Sequence, residues 1–257
     1  MINETSGLDK GEALVDKVAL VTGGGRRIGA EIAKRLHFEG MNLILHYHNS
    51  DHEARALQSE LNEMRSNSVM LIKGDLLDNR KITHLVQEAV EVHARLDAVV
   101  NNASSFFPTP VGATSEDDWN NLIGTNLKAP FFLSQAAAPE LKKTQGCIVN
   151  IADIYGERPL RNHAVYSTAK AGLIMLTRSL ARELAPQVRV NAVAPGAILW
   201  PEKNQDEVAQ QRIVSRTPLK RLGTPAEIAG AVLFLVRDAG FISGHVIPVD
   251  GGRSVVP

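Results

Sequence analysis

The fold of this chain is decided by one stretch, Thr22-Gly23-Gly24-Gly25-Arg26-Arg27-Ile28-Gly29. The residues before it, Val18–Thr22, form a short apolar run that predicts a buried strand. From about Ile28 to Phe38 the apolar residues recur at helical spacing, and Gly40 is placed to end that helix. A glycine-rich loop between a strand and a helix is the setting in which such a motif indicates a phosphate-binding turn.

The glycines of this loop have distinct physical roles. Gly23 and Gly25 allow a tight turn, which leaves the free amides at the helix start able to hold a pyrophosphate. Gly29 lets the helix pack closely on the preceding strand. Three residues separate Gly25 from Gly29, so the spacing departs from the usual Gly-x-Gly-x-x-Gly. A glycine-rich turn that holds no ligand is the alternative.

Short apolar runs alternate with longer helical patterns along the rest of the chain. Six further strands are predicted, at Asn42–Tyr47, Val69–Lys73, Leu96–Asn101, Cys147–Ile151, Val188–Val193 and His245–Val249. Further helices are predicted at about Glu53–Arg65, Asn79–Ala94, Glu116–Lys143, Ala164–Leu184 and Ala226–Arg237. Pro130 and Pro139 are expected to kink or shorten the third of these. The alternation predicts a single α/β domain, a doubly wound parallel sheet of about seven strands with helices on both faces.

One long segment, Pro195 to Pro225, shows no regular pattern and is interrupted by Pro201 and Pro218. A loop of this size in a compact domain is usually a lid or binding loop, so we expect it to border the substrate. Trp200 could cap the pocket or anchor the loop, and the sequence leaves both open. Glu202 and Arg158 are further pocket candidates.

Composition excludes several classes of function. The chain has 257 residues, 44% of them hydrophobic, which suits one domain with a substantial core. Lys+Arg and Asp+Glu both total 28, so there is no basic field for nucleic acid. No apolar run approaches the ~20 residues of a membrane span and the polar start lacks a signal-like segment, so we expect a soluble, cytoplasmic protein. We also expect no metal centre. The single cysteine, Cys147, excludes an intramolecular disulfide and, in its apolar run, predicts a buried side chain.

The residues that carry chemistry are Tyr166 and Lys170, with Asp153 thirteen residues before the tyrosine. Residues four apart lie on one face of a helix, about one turn from each other. A lysine ammonium beside a phenol favours the phenolate, so Lys170 is expected to lower the pKa of Tyr166 and make it a better proton shuttle. Hydride transfer to a carbonyl builds negative charge on oxygen, for which a carboxylate is poorly suited. Reduction of a C=N bond instead requires a proton on nitrogen, so Asp153 indicates an imine-like acceptor; a surface or turn aspartate is the alternative.

The choice of dinucleotide depends on the end of the second predicted strand, His46-Tyr47-His48-Asn49-Ser50. A site for NAD usually places an acid there to bind the ribose hydroxyls, and Tyr47 stands near that position. Asp51 lies near the expected offset from the glycines, but Asp51-His52-Glu53 is typical of a helix start, where acids favour the dipole. NADP is therefore predicted, and an exposed loop histidine is the alternative for His48. The side chains that could receive a 2′-phosphate are Arg26, Arg27, His48 and Ser50.

Together these motifs resemble the short-chain dehydrogenase/reductase family over nearly the whole chain. The motifs are Thr22–Gly29, Asn101-Asn102-Ala103, Tyr166-x3-Lys170 and Pro195-Gly196, in the family's order. Narrower features resemble its pteridine reductases: the Arg-Arg pair after the glycines, His46–Ser50, the run Asn101-Asn-Ala-Ser-Ser-Phe-Phe-Pro-Thr-Pro110, and Asp153 in place of a catalytic serine. Asn49 departs from the pattern, since related proteins can carry an arginine there. Affinity for a 2′-phosphate would therefore depend more on Arg26, Arg27 and His48.

The resemblance implies a Rossmann-type fold and a role for each matching residue. Tyr166 would be the proton donor or relay, Lys170 would bind the nicotinamide ribose, and Asn126 would kink the middle helix and support the lysine through water. Asp153 would hydrogen-bond the tyrosine and assist protonation of a ring nitrogen. The residues expected to bind the cofactor are Gly23, Gly25, Arg26, Arg27, Ile28, Gly29, His48, Asn49, Ser50, Asp75, Leu76, Asn102, Ala103, Ser104, Lys170, Pro195 and Gly196. Those expected to bind the substrate are Arg27, Ser104, Phe106, Asp153 and Tyr166.

An aromatic residue is also implied at the substrate. Phe106 would sandwich a pterin against the nicotinamide, and aromatic stacking is typically worth ~1 kcal/mol beyond area burial. Burial in the core is an equal alternative for Phe106 and Phe107, although two adjacent phenylalanines before Pro108 leave at least one freer to face a flat ligand.

The implied activity is that of an NADPH-dependent pteridine reductase. Hydride would go to C6 and a proton to N5 of a 7,8-dihydropteridine, with oxidised pterin and dihydrofolate as further candidate substrates. The alternatives are a carbonyl reductase of the same family, for example one acting on 3-oxoacyl thioesters, and a catalytically idle NADP-binding regulator. Family members are commonly homotetramers joined through the two long helices, here near Glu116–Lys143 and Ala164–Leu184.

Overall fold

The computed structural model describes residues 14–199 and 207–256, and within them strands and helices alternate. The strands are β1 (Val18–Thr22), β2 (Asn42–Tyr47), β3 (Val69–Lys73), β4 (Ala98–Asn101), β5 (Cys147–Ile151), β6 (Arg189–Pro195) and β7 (Val246–Val249). The helices are α1 (Arg27–Phe38), α2 (Asp51–Met64), α3 (Asn79–His93), α4 (Glu116–Ile123), α5 (Ala129–Thr144), α6 (Ala164–Glu183), α7 (Glu207–Arg216) and α8 (Pro225–Arg237). Each of the seven strands predicted from the sequence is present.

The strands pair in parallel in the order β3-β2-β1-β4-β5-β6-β7. The order reverses at β1, which lies between β2 on one side and β4 on the other. In open α/β sheets a crevice forms at such a reversal, at the carboxyl ends of the strands, and ligands bind there. The topology therefore places the glycine loop after β1 at the binding edge of the sheet.

Helices cover both faces of the sheet. Strand β1 is fully buried, with Ala19 and Val21 packed in one core cluster and Val18 and Leu20 in another. The first cluster includes apolar residues of α1 and α8, and the second includes those of α3 and α5. The alternation of side chains along a strand explains this division. The prediction of a single doubly wound α/β fold is confirmed.

The helix predicted over Glu116–Lys143 is interrupted, but not at the prolines. It consists of α4 and α5 joined by a π-helical turn at Gly124–Lys128. Pro130 lies in the first turn of α5, where a missing amide is tolerated, and Pro139 lies inside α5, which continues to Thr144. The expectation that the prolines set the break was wrong. A π turn that contains Asn126 sets it instead, at the residue where the family resemblance implied a kink.

The segment from Pro195 to Pro225 is not wholly irregular. Helix α7 spans Glu207–Arg216 within it, so the prediction of an irregular stretch was wrong for these ten residues. The helix is short, and its polar sequence gives only a weak helical pattern. Trp200 and Glu202, both pocket candidates, lie outside the described residues.

Gly29, in the first turn of α1, packs closely against the glycine loop and Asn102. A Cβ there would lie 2.2 Å from the carbonyl oxygen of Gly23 and 2.5 Å from Asn102 Nδ2. We expect Gly29→Ala to lower the free energy of unfolding by about 3 kcal/mol, because backbone and an engaged amide would have to move. Gly230→Ala in α8 is the matched control. A Cβ at Gly230 meets nothing within 4 Å, so alanine should stabilise the helix by about 1 kcal/mol. Denaturant unfolding measures both, and equal stabilities of the two variants would contradict this packing.

Candidate active site

Asp153 and Tyr166 are in direct contact. Asp153 follows β5 and caps the short 3-10 turn Ile154–Gly156, where its Oδ1 accepts a hydrogen bond of 2.8 Å from the amide of Tyr155. Tyr166 lies in the first turn of α6, and its hydroxyl donates to Asp153 Oδ2 at 2.7 Å. The carboxyl group is thus held in place by a backbone amide on one oxygen and presented to the phenol on the other.

Lys170 lies one turn after Tyr166 and is buried, with 2% of its surface exposed. Its Nζ donates to the carbonyl oxygen of Ile151 at 2.8 Å and lies 5.7 Å from the centroid of the Tyr166 ring. Burial lowers the pKa of Lys170 to about 8, although the charge of Asp153 acts in the opposite direction. The helical spacing therefore brings the pair together as the sequence predicts.

The expected lowering of the Tyr166 pKa by Lys170 does not occur in this structure. Burial raises the pKa of Tyr166 well above its usual value, and the charge of Asp153 and the hydrogen bond to it raise it further, whereas a bond to Ser104 lowers it. Burial also raises the pKa of Asp153, against the bonds from Tyr155 and Tyr166 and the charge of Lys170. The sequence spacing indicates only the lysine, whereas burial and the carboxylate of Asp153 raise the pKa of the phenol. Both groups therefore keep their protons to a higher pH than they would in water.

Asn126 lies in the π turn between α4 and α5, and its side chain bonds to the loop after β4. Its Nδ2 donates to the carbonyl oxygens of Leu122 and Ser105, each at 2.9 Å, and its Oδ1 accepts from the Ser104 hydroxyl at 2.6 Å. The side chain is 1% exposed, so these bonds satisfy a buried amide. Asn126 thus fixes the position of Ser104 beside Tyr166.

The two adjacent phenylalanines have different environments. Phe107 packs with the buried cluster of Leu122, Val165 and Tyr166, whereas Phe106 is 52% exposed. The Phe106 ring stacks on His163, with centroids 4.7 Å apart and planes at 14°, and meets Tyr166 edge-on at 4.8 Å. Phe107 is therefore partly buried against the core, and Phe106 is the exposed ring placed beside Tyr166. The sequence reasoning missed His163, whose position three residues before Tyr166 is its only signal.

The loop after β4 braces the glycine loop. Asn102 Nδ2 donates to the carbonyl oxygens of Thr22 and Gly23, at 2.9 Å and 3.1 Å. The Thr22 hydroxyl oxygen accepts from the amides of Asn102 and Ala103 in return. The side chain of Asn102, predicted to contact the cofactor, thus holds the loop that would bind it.

His46 is a second residue that the sequence reasoning missed as part of the site. Its Nδ1 accepts from the amide of Gly23 at 3.4 Å and its Nε2 donates to the carbonyl oxygen of Gly74 at 3.1 Å. Both bonds require the neutral ring, and burial lowers the pKa of His46 to about 4. The ring therefore joins the glycine loop to the loop containing Asp75.

Asp51, which follows β2 at the start of α2, already has hydrogen-bond partners within the chain. Asp51 is the first residue of α2, and it accepts from the Tyr47 hydroxyl at 2.7 Å and from Arg55 Nε at 2.8 Å. The helix-start interpretation of Asp51 thus agrees with the structure. The exposed side chains around this point are Arg26, Arg27, His48 and Asn49. Ser50 is half-buried, and its Oγ would lie 3.2 Å from a Cβ on Gly25, so the glycine loop closely approaches it.

The other predicted site residues border the same edge of the sheet. Asp75 Oδ1 accepts from the amide of Leu77 at 3.0 Å, and Leu76 is buried in the core. Ile28 packs partly buried against the core, and Pro195 ends β6. Gly196 donates to the carbonyl oxygen of Val249 at 3.0 Å. Arg158, a pocket candidate, instead donates to the carbonyl oxygen of Val256 near the end of the described chain.

Comparison with known proteins identifies the class. A family model described as enoyl-(acyl carrier protein) reductase matches residues 24–254. The 3-oxoacyl-(acyl-carrier-protein) reductase of Staphylococcus aureus strain N315 is 37% identical over 241 residues, covering 92% of this chain and 97% of the relative. Pteridine reductase 1 of Leishmania tarentolae is 36% identical over 279 residues, covering 93% and 96%. The chain belongs to the short-chain dehydrogenase/reductase family, and it is an oxidoreductase of that family.

The described residues contain neither a membrane-spanning helix nor a metal-binding cluster. No helix among residues 14–199 and 207–256 is long and apolar enough to cross a membrane. Over the same ranges, no three or more His, Cys, Asp or Glu side chains are grouped to hold a metal ion. Cys147 is buried, as its apolar run predicts, and burial raises the pKa of its thiol.

The buried His46 predicts a pH dependence of stability. Its pKa is about 4 in the folded chain and about 6.5 when exposed, so the unfolded chain binds an extra proton between these values. Stability from the neutral ring is complete above pH ~6.5 and is lost as the pH falls towards ~4, by up to about 3 kcal/mol. We expect His46→Gln, whose amide can accept from Gly23 and donate to Gly74, to flatten this part of the profile.

Denaturant unfolding between pH 7.5 and pH 4 measures the effect. The control is His52→Gln, which removes an exposed histidine on α2 and should keep the wild-type slope. Parallel profiles for wild type and His46→Gln would show that the ring is not held neutral by this site.

Proposed function

We propose that this protein is an NADPH-dependent pteridine reductase, which adds hydride to C6 and a proton to N5 of a 7,8-dihydropteridine. The observation that carries the proposal is the 2.7 Å hydrogen bond between the Tyr166 hydroxyl and the Asp153 carboxyl. A carboxyl group at this point can supply a proton to a ring nitrogen. In its ionised form, the carboxylate would repel the negative charge that develops on the oxygen of a carbonyl substrate.

The glycine loop and the end of β2 fit a phosphorylated dinucleotide. Gly23 adopts a φ of +60°, and the loop that follows leads into the amides at the start of α1, where a pyrophosphate is favoured. Asp51 is engaged by Tyr47 and Arg55, and the neighbouring exposed side chains include Arg26, Arg27 and His48, which favours a 2′-phosphate. When bound, NADPH supplies the hydride, and Lys170 would hold its nicotinamide ribose.

The side chains of this protein would control the proton. The hydroxyl of Tyr166 and the carboxyl of Asp153 share one hydrogen bond, and burial raises both pKa values. Tyr166 would pass its proton to N5 and regain one from Asp153, which would in turn be reprotonated from solvent. Ser104 lies next to this pair, fixed by Asn126, and would bind the polar edge of the substrate.

The exposed Phe106 ring, which lies beside Tyr166, also favours a flat substrate. Phe106 is 52% exposed and meets Tyr166 edge-on, so a heterocycle stacked on it would lie close to the proton donor. Arg27, an exposed residue at the start of α1, is proposed to reach towards the cofactor phosphate and the pterin. Oxidised pterin and dihydrofolate carry the same 2-amino-4-oxo ring and are proposed as additional substrates.

A second candidate is reduction of a 3-oxoacyl thioester. It is favoured by the 37% identity to the Staphylococcus aureus reductase over 97% of that protein's length. The identity to pteridine reductase 1 is nearly the same, so identity does not separate the two activities. Asp153 and the exposed Phe106 favour the pteridine.

We also propose a homotetramer in the cytoplasm. Large apolar side chains are exposed on the helices expected to join subunits: Trp119 on α4, Phe131 on α5 and Met175 on α6, between 37% and 57% exposed. Large apolar side chains exposed on the monomer can mark a protein–protein interface. The proposed assembly would cover these residues.

Substrate preference is the first prediction of the proposal. We expect the protein to oxidise NADPH far faster with 7,8-dihydrobiopterin than with a 3-oxoacyl thioester, and faster with NADPH than with NADH. Initial rates at 340 nm, a wavelength at which the reduced nicotinamide absorbs, measure each pair. A reversed ranking of the two acceptors would reject the pteridine assignment.

The second prediction concerns the hydrogen-bonded pair of Tyr166 and Asp153. We expect Tyr166→Phe to reduce pteridine turnover about 100-fold or more, since general acid catalysis commonly contributes that much, while NADPH still binds. Asp153→Ser should lose pteridine reduction by a similar factor and gain carbonyl reduction. Asp153→Asn is the matched control, because it keeps the shape of the side chain without its acid. It should lose pteridine reduction and should not gain carbonyl reduction. Normal pteridine turnover by Asp153→Ser would show that the carboxyl has no part in the proton transfer.

A further inference from the structure

One face of the Phe106 ring is already covered. His163 stacks on it with the two ring planes 14° from parallel and the centroids 4.7 Å apart. Tyr166 meets the edge of the same ring at 81° and 4.8 Å. Phe106 is nevertheless 52% exposed, so a substantial part of the ring is not covered by these neighbours.

His163 is the fixed member of this stack. Its Nδ1 bonds to the carbonyl oxygen of Arg161 at 2.9 Å, and its amide donates to the carbonyl oxygen of Leu160 at 3.1 Å. It also forms a backbone bridge to Thr109 and precedes the first residue of α6. Because Tyr166 is in the first turn of the same helix, the position of His163 is tied to that of the proton donor.

The loop that carries Phe106 is held on both sides of the ring. The carbonyl oxygen of Ser105 accepts from Asn126 at 2.9 Å, and the amide of Thr109 donates to the carbonyl oxygen of Asn162 at 2.6 Å. These bonds fix the backbone, but they do not fix the rotation of an exposed side chain. The stacked imidazole supplies that restraint.

We propose that His163 is a positioning residue that holds Phe106 as a flat platform, so that His163, Phe106 and the substrate ring stack in that order. This inference rests on the proposed function in that the ring it supports is a pteridine. An ordered aromatic surface binds a flat ligand better than a mobile one, since less side-chain freedom is lost on binding. His163 would therefore act on substrate affinity through Phe106.

Steady-state kinetics of four variants test this role. His163→Leu, which removes the flat ring, should raise KM for 7,8-dihydrobiopterin about fivefold, the scale of one aromatic stack, with KM for NADPH within twofold of wild type. His163→Phe keeps a flat ring and should restore the wild-type KM. His163→Ala gives a second truncation in case leucine perturbs the fold, and it should raise KM in the same way. His84→Leu replaces an exposed histidine on α3 and should behave as wild type.

A double-mutant cycle separates support through Phe106 from an independent effect. The combination of His163→Leu with Phe106→Leu should have the same KM as Phe106→Leu alone, because the histidine would then have nothing to hold. Additive effects, or a wild-type KM in both His163→Leu and His163→Ala, would overturn the positioning role while leaving the proposed function intact. Absence of any pteridine turnover by the wild-type protein would overturn both.

Discussion

The site depends on the parallel pairing of β1, β4 and β5. Because parallel strands end at the same edge of the sheet, this pairing gathers the glycine loop after β1, the loop containing Ser104 and Phe106 after β4, and Asp153 after β5. The three loops are then bonded to one another or to α6. Asn102 holds the glycine loop, and Asp153 holds the hydroxyl of Tyr166. The chemistry thus follows from strand order together with a few buried polar bonds.

Much of this could be predicted from the sequence, since it depends on patterns that are local. The apolar runs of the strands, the glycines after Val18–Thr22 and the four-residue spacing of Tyr166 and Lys170 each indicate their structure directly. The π turn at Gly124–Lys128 could not be predicted from the helical pattern, because Asn126 in it contacts a distant loop, and only the family resemblance indicated a kink at Asn126. Helix α7 was missed because its polar sequence has little periodicity.

The features missed at the site share a cause, which is that they depend on residues far apart in the chain. His46 bonds Gly23 and Gly74, and His163 stacks on Phe106, more than fifty residues earlier. The pKa of Tyr166 was expected to fall because Lys170 is its helical neighbour. It is raised instead, since burial and the carboxyl of Asp153 outweigh the lysine, whose own ammonium is directed to the carbonyl oxygen of Ile151. Sequence spacing indicates which groups meet, but not how strongly each is desolvated.

The central claim is that the Tyr166–Asp153 pair directs reduction to a ring C=N bond rather than to a carbonyl. A competition experiment tests it most directly: the protein is given NADPH deuterated at the transferable position, with equal concentrations of 7,8-dihydrobiopterin and acetoacetyl-CoA. Mass spectrometry then shows which product carries the label. The account predicts deuterium in the tetrahydropterin; label found mainly in the 3-hydroxyacyl product would contradict it.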